Sequence, residues 1–293
     1  MVLRVAIVGP GRVGSAFGRR FVQAGVDLLG FVGRTPANTA AAVAFAGGGR
    51  VLRVADLASS HVVVFAVGDA DLRAAVQATA SAVAPRPCSL WLHTSGRHGL
   101  DVLDPAAAQG ARRGALHPVA PFADAESGLA AMAGCPAVLA FDPRSERLLR
   151  GLARRLGMNP VSSHGGDRTL YHAACALAAN GLVVLRGLVD DVFAAAGGLS
   201  AADARLVADT LMIAAVRTSS ELGAGPALSG PVRRGDLATV QAHLAALAGP
   251  VPLAAAAYRV LMLGAVDLAV ARGLDASSAA ALRAALGERD AGR

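Results

Sequence analysis

Short runs of aliphatic and β-branched residues recur through the first half of the chain, separated by alanine-rich stretches with helical spacing. This is the rhythm of βαβ units around a mostly parallel sheet. The pattern predicts strands at Leu3 to Val8, Leu28 to Val32, Val51 to Val54, Val62 to Val67, Ser89 to His93, Gly114 to His117 and Ala137 to Phe141. Helices are expected over Arg12 to Ala24, Asp71 to Val83 and Arg144 to Leu156. Uninterrupted apolar runs such as Val62 to Val67 suit strands covered on both faces.

Beyond Met158 to Ser162 the rhythm changes. Gly165-Gly166 opens a region with no strand-like run and long helical periodicity, with helices expected over Asp167 to Ala196, Ala201 to Leu222, Leu237 to Ala248 and Leu253 to Arg272. The pattern therefore divides the chain near residue 164, into a Rossmann-type α/β domain (1–164) and an all-α domain (165–293). A helix as long as Asp167 to Ala196 commonly forms the spine of its domain and a dimer seam.

Composition narrows the class. Of 293 residues, 54% are hydrophobic and 17% charged, enough to bury a large core with little left for disordered tails. The most apolar late stretch, Val251 to Ala271, is broken by Pro252, Arg259 and Asp267, so no membrane span is expected. Met1 to Val8 runs directly into a glycine loop with no signal-peptide pattern, which predicts a cytoplasmic protein. Cys88, Cys135 and Cys175 are too far apart for a zinc or disulfide framework and read as small buried residues; no metal site is expected. Every basic side chain is an arginine, for the sequence contains no lysine. Schiff-base chemistry, a Walker lysine and a lysine proton donor are thereby excluded. The net charge of +7 is spread over scattered arginines without an aromatic-interleaved stripe, which argues against nucleic acid and is compatible with an anionic cofactor.

Gly9-Pro-Gly11-Arg12-Val13-Gly14 matches the dinucleotide-binding G-x-G-x-x-G and stands directly between the first strand and the first helix, where the mechanism requires it. Gly9 allows the tight turn, Gly11 lets amides approach a pyrophosphate, and Gly14 lets the helix pack on the sheet. The helix N-terminus then faces the phosphates. An acidic residue at the end of the second strand would hold the ribose of NAD, but Gly33-Arg34-Thr35 stands there, and Asp27 comes too early. Arg34 and Thr35 favour the 2′-phosphate of NADP over NAD. Val67 and Gly68, closing the fourth strand, are expected to line the same cleft, with Asp69 and Asp71 starting the next helix.

Histidine is the expected proton carrier in a chain without lysine. His93 and His117 lie at strand ends on the cleft side, in Leu92-His-Thr-Ser-Gly96 and Leu116-His-Pro118, and each is either functional or a hydrogen-bonded structural group. On the long helix, Tyr171-His172 and Asn180 are notable because His172 and Asn180, two turns apart, should share one face. The loop Ala227 to Asp236 offers Arg233 or Arg234 as a clamp for a substrate carboxylate, with Asp236 as cap of the following helix and His243 beyond.

These segments resemble the DUF2520 family, bacterial oxidoreductase-like proteins that join a Rossmann-like domain to a C-terminal domain of unknown function. The carriers are Gly9 to Gly14, Leu92 to Gly96, Ala115 to Pro118, Leu170 to Ala174 with Asn180, and Ala227 to Asp236 with His243. The likeness spans nearly the whole chain. That family is similar to pyrroline-5-carboxylate reductases, β-hydroxyacid and prephenate dehydrogenases, and F420-dependent NADP reductases. The resemblance implies a C-terminal domain like that of 6-phosphogluconate dehydrogenase, a substrate roofed by it, and a homodimer formed through its helices. A His-Pro element of prephenate dehydrogenases implies a catalytic His117, with Ser95 nearby. The lysine and asparagine of β-hydroxyacid dehydrogenases have no counterpart, since Arg168 or His172 occupies that neighbourhood and Ala176 follows.

The sequence thus predicts an NADP-dependent oxidoreductase reducing the carbonyl of a small anionic oxo acid, such as a ketopantoate-like 2-oxo acid. Catalytic candidates are His117, His172, Ser95 and Asn180, and substrate candidates are Arg233, Arg234, Asp236 and His93. An imine reductase of the pyrroline-5-carboxylate type and a non-catalytic NADP-binding sensor are the alternatives.

Overall fold

The computed structural model describes residues 2–163 and 165–287. The chain forms two compact units, residues 1–179 and 180–293. The first contains β1 (Arg4–Val8), α1 (Arg12–Gln23), β2 (Asp27–Val32), α2 (Pro36–Ala46), β3 (Arg50–Val51), β4 (Val62–Phe65), α3 (Asp69–Ala82) and β5 (Leu90–His93). It continues through α4 (Asp104–Ala107), β6 (Arg112–Pro118), α5 (Ala125–Ala131), β7 (Pro136–Phe141), α6 (Glu146–Arg155), β8 (Asn159–Ser162) and α7 (Arg168–Ala176).

The eight strands make one sheet in the order β3-β2-β1-β4-β5-β6-β7-β8. The first six strands run parallel in the doubly wound order, so the chain reverses its winding between β1 and β4, where open α/β sheets bind ligands. Alternation within each strand serves both faces. Val5, Ile7, Val62, Val64, Leu90 and Leu92 join the core beneath α1, with Phe17 and Phe21. Ala6, Val8, Val63, Phe65 and Trp91 join the opposite core, with Leu72 and Val76 of α3. Burial of each such large side chain contributes about 1.5–3 kcal/mol.

The last two strands turn back. β7 is antiparallel to β6, and the reversal is secured where Asp142 accepts hydrogen bonds from the Arg113 backbone amide and its Nη2, both at 2.9 Å. β8, parallel to β7, is missing from the sequence pattern because Asn159-Pro160-Val161-Ser162 has no apolar run to announce it.

The division between units falls after Ala179, not near residue 164. Strand structure does end at Ser162, but α7 belongs to the first unit, to which Tyr171 is hydrogen-bonded. The expected helix from Asp167 to Ala196 also contains a π-turn at Leu177–Gly181, after which α8 (Leu182–Ala196) resumes α-helical geometry.

The second unit comprises α8, α9 (Ala201–Leu222), α10 (Ala224–Ala227), α11 (Pro231–Arg234), α12 (Leu237–Leu247), α13 (Pro252–Val270) and α14 (Ala276–Leu286). Its core gathers Val232, Val240, Leu244, Val266, Ala269, Leu282 and Leu286 from α11 to α14. By contrast, α8 and α9 leave Val183, Leu206, Leu211, Ile213 and Val216 exposed. Leu211 and Leu261 also border an apolar groove of ≈ 600 Å³ between α8, α9, α12 and α13. Contrary to expectation, two helical segments, 168–196 and Pro252–Val270, are long and apolar enough to cross a membrane, with mean hydropathy 1.5 and 1.7. Length and composition alone make that a weak indication. The cysteines also depart from their expected burial: Cys88 is exposed, and Cys135 and Cys175 are half-buried.

Candidate active site

The glycine loop has the geometry its spacing predicts. Gly9 adopts φ +104°, and a β-carbon there would lie 2.6 Å from the Ala66 carbonyl oxygen. A β-carbon on Gly14 would lie 2.0 Å from the Gly9 oxygen, so the first turn of α1 packs against the loop only with glycine. At Gly11 the corresponding space is open to 4 Å, and this residue lines a cleft of ≈ 630 Å³ over the ends of β1, β2 and β4. The first turn of α1 carries no acidic side chain, so its positive dipole end and its unpaired amides at Arg12 and Val13 suit a diphosphate. Val67 and Gly68 line the opposite wall.

At the other end of the cleft, Arg34 and Thr35 lead into α2, whose first turn also lacks acidic residues. The Arg34 side chain is 91% exposed and lies 3.5 Å from Asp71 of α3. Asp71 is a carboxylate that the sequence did not place here, since it reaches Arg34 from a different βα unit. The pair is exposed and therefore weak, so Arg34 can exchange this partner for a phosphate, which carries more charge.

A second cluster forms where β5 and β6 end. His93 is completely buried, and its Nε2 contacts the Gly99 carbonyl oxygen at 3.1 Å. Burial lowers its pKa to about 4. It supports the following loop from within the core rather than facing ligand. Ser95 Oγ accepts hydrogen bonds from the amides of Arg97 and His98, both at 3.1 Å, and His98 Nε2 contacts the Asp69 carbonyl oxygen at 2.9 Å. Residues 93–99 are thereby tied to the start of α3, beside the cleft that the glycine loop lines.

Next to this loop stands His117, whose Nδ1 is 2.8 Å from the Tyr171 hydroxyl. The two rings meet edge-on at 5.7 Å, and the His172 ring lies 6.4 Å from that of His117. Gly96 makes the approach feasible, since a β-carbon there would come within 2.8 Å of His117 Nε2 and 3.0 Å of His172 Cδ2. Burial, reinforced by the positive charge of Arg168, lowers the His117 pKa to about 4, so the ring is neutral at physiological pH. Burial also raises the Tyr171 pKa, helped by Cys175 beside it, so the phenol keeps its proton. Arg168 stacks on the Tyr171 ring with its guanidinium carbon 4.5 Å from the centroid.

The structure therefore brings together His117 and His172 beside Gly96 of the loop that Ser95 fixes, and adds Tyr171 and Arg168, which the sequence reading had not assigned a role. A usable signal was present: Arg168, Tyr171, His172 and Cys175 follow the i, i+3, i+4, i+7 spacing of one helical face. All four are partly sheltered. Asn180 does not continue that face. The π-turn inserts one residue, so Gly181 takes the sheltered position and Asn180 is exposed. In the second unit, Asp236 caps α12 through the Thr239 amide at 3.1 Å, as expected. Arg233 donates to the Arg272 carbonyl oxygen at 3.3 Å, and Arg234 is exposed.

Comparison with known proteins agrees with this architecture. Residues 1–118 match the model of the Rossmann-like domain, and residues 135–264 match the Domain of unknown function (DUF2520). No curated protein matches by sequence. Among solved structures, a candidate NADP oxidoreductase of Bacteroides fragilis, BF3122, superposes with TM-score 0.73 at 16% identity, covering 90% of this chain and 97% of that one. A reductive aminase from Aspergillus terreus, in complex with NADPH and ethyl-5-oxohexanoate, gives TM-score 0.65 at 19% identity over 95% and 98% of the two chains. A pyrroline-5-carboxylate reductase from Coxiella burnetii gives 0.59 at 14% identity over 97% and 98%. At these identities the likeness is one of fold. Two family models thus match the chain in succession, the Rossmann-like domain in its N-terminal part and DUF2520 in its C-terminal part.

Proposed function

We propose that this protein is an NADP-dependent oxidoreductase that reduces the carbonyl of a small oxo acid. The observation that carries the reading is the pairing, in one compact unit, of an open glycine cradle at the head of α1 with the His117–Tyr171 hydrogen bond at the end of β6. NADPH, when bound, supplies a hydride. Gly9, Gly11 and Gly14 with the amides of Arg12 and Val13 would hold its diphosphate, Val67 and Gly68 would form the opposite wall, and Arg34 with Thr35 would receive the 2′-phosphate. NADPH in the reductase-fold neighbour from Aspergillus terreus supports this cofactor over NADH.

As the carbonyl carbon accepts the hydride, its oxygen needs a proton. The Tyr171 hydroxyl is the group poised to give it, and the tyrosinate left behind regains its proton by relay through neutral His117, whose Nδ1–H passes to the phenolate oxygen as Nε2 takes up a proton from solvent. His117 is thus the partner of the donor rather than an imidazolium acid. His172 borders the same space, and Ser95 fixes the loop that carries Gly96. The sheltered arginine on α7 takes over from Arg233 and Arg234 as the candidate for holding substrate.

The exposed apolar residues of α8 and α9, continuous with the groove that Leu211 and Leu261 border, support a homodimer formed through these helices. Ion pairs on the same helices, Arg186 with Asp190 and with Asp209, fit a protein interface rather than lipid, and a cytoplasmic location.

Four outcomes test this reading. Calorimetry on Arg34→Ala should show NADPH binding weakened about tenfold or more with NADH little changed, as expected for loss of a charge-assisted phosphate contact; equal losses would refute the 2′-phosphate assignment. With NADPH and a panel of 2-oxo acids and cyclic imines, Tyr171→Phe should lower turnover by roughly 10²–10⁴ and leave NADPH affinity intact, and His117→Gln should lower it less. Consumption of imines alone would redirect the assignment to imine reduction, and cofactor binding without any consumption would mark a sensor.

The third outcome concerns pH. His93 and His117 titrate at about 4 in the native state against 6.5 in the free side chain, so between these values the unfolded chain binds more protons. Their contribution to stability is present above pH 6.5, declines as the pH falls toward 4 and then levels off. Melting temperatures recorded from pH 8 to 4 should show this decline, and it should be shallower in His117→Gln. Fourth, light scattering should give twice the chain mass, and Leu211→Arg with Leu261→Arg should give the single mass; an unchanged wild-type monomer would remove the dimer.

A further inference from the structure

Arg168 begins α7 and is the one member of the cluster whose charge has no ion-pair partner among the described residues. Its Nε and Nη2 are both buried and have no hydrogen-bond partner among the described residues. The adjacent carboxylate, Asp167, is already committed, accepting from the amides of Thr169 and Leu170 at 2.8 and 3.0 Å. His93, His117 and Tyr171 are neutral over the physiological range and all feel the arginine's positive charge, and Asp69, the carboxylate whose charge also reaches both histidines, forms no ion pair with Arg168 among the described residues. A guanidinium cannot relieve the cost of burial by losing its proton, as a lysine or histidine can. A partly sheltered cation whose Nε and Nη2 are buried without a partner is expected where an anion is to be received.

The identity of the unpartnered atoms defines the ligand. Nε–H and one Nη2–H lie parallel on one flank of the guanidinium, and this pair engages the two oxygens of a carboxylate side-on. The opposite constraint comes from Tyr171, whose ring lies under the same guanidinium, 4.5 Å from its central carbon. The anion receptor and the hydroxyl thus belong to stacked side chains. A ligand that uses both must carry its carboxylate close to its reducible centre.

We propose that Arg168 is the carboxylate receptor of the active site, and that the substrate class is a short 2-oxo or 3-oxo acid bound side-on to Nε and Nη2, its carbonyl oxygen toward Tyr171. The inference rests on the reading of this unit as an NADPH-dependent reductase. Arg168 has a positioning part as well, since its stacking orients the phenol.

The test uses the full chain saturated with NADPH, after calorimetry has recorded NADPH binding itself. Glyoxylate, pyruvate, 2-oxobutanoate and acetoacetate are titrated, each beside its methyl ester, into wild type, Arg168→Gln and Arg168→Lys, with melting curves to verify folding. The wild type should bind at least one acid about tenfold or more tighter than its ester. Arg168→Gln should abolish that preference with NADPH affinity unchanged, and Arg168→Lys should retain part of it. The proposal is overturned if wild type binds no acid better than its ester, or if Arg168→Gln keeps the preference. Should Arg168→Gln not fold, the wild-type acid and ester comparison together with Arg168→Lys decides, a full preference in Arg168→Lys counting against the side-on receptor. Loss of NADPH binding in wild type would instead remove the reductase reading, and this inference with it.

Discussion

The hydrogen bond between His117 and Tyr171 joins the end of β6 to the second turn of α7 across 54 positions of sequence. Much of the site's organisation depends on it. It holds α7 with the sheet rather than with the helices that follow, and it places Arg168 and His172 beside the loop after β5. It also requires a glycine at position 96, because any side chain there would enter the space the two histidine rings occupy. A contact between two neutral groups suits this place. A charged imidazole beside a partly sheltered guanidinium would face repulsion in a poorly screened environment.

The N-terminal half was legible from sequence because its signals are local. Strands buried on both faces are nearly unbroken aliphatic runs, and the glycine loop carries its mechanism in three spaced residues. β8 was not legible, since a four-residue strand containing asparagine, proline and serine gains its place by pairing with β7 rather than by its own pattern. The unit boundary was misplaced for a related reason. Gly165 and Gly166, both at positive φ, mark a real break in chain direction, but a turn does not reveal which side of it a helix packs against.

The site divides the same way. His117 and His172 stood out as polar residues in apolar surroundings. Tyr171 and Arg168 were named there but given no role, because what a tyrosine and an arginine on a helix do is undecided until their neighbours are known. Asn180 was placed by counting two turns of a regular helix, and a single extra residue in the π-turn invalidated the count. Asp71 reaches Arg34 only through the sheet's crossover, which no linear spacing announces.

The sheet's margins carry a consequence for association. β3 is only two residues long, and β8, at the far side, is four residues long and contains Pro160, which has no amide hydrogen to offer. Neither border presents a run of unpaired backbone groups on which a foreign strand could template itself. Backbone-mediated aggregation is thus discouraged at both ends of a long, strongly aliphatic sheet, and recognition between copies is left to side chains.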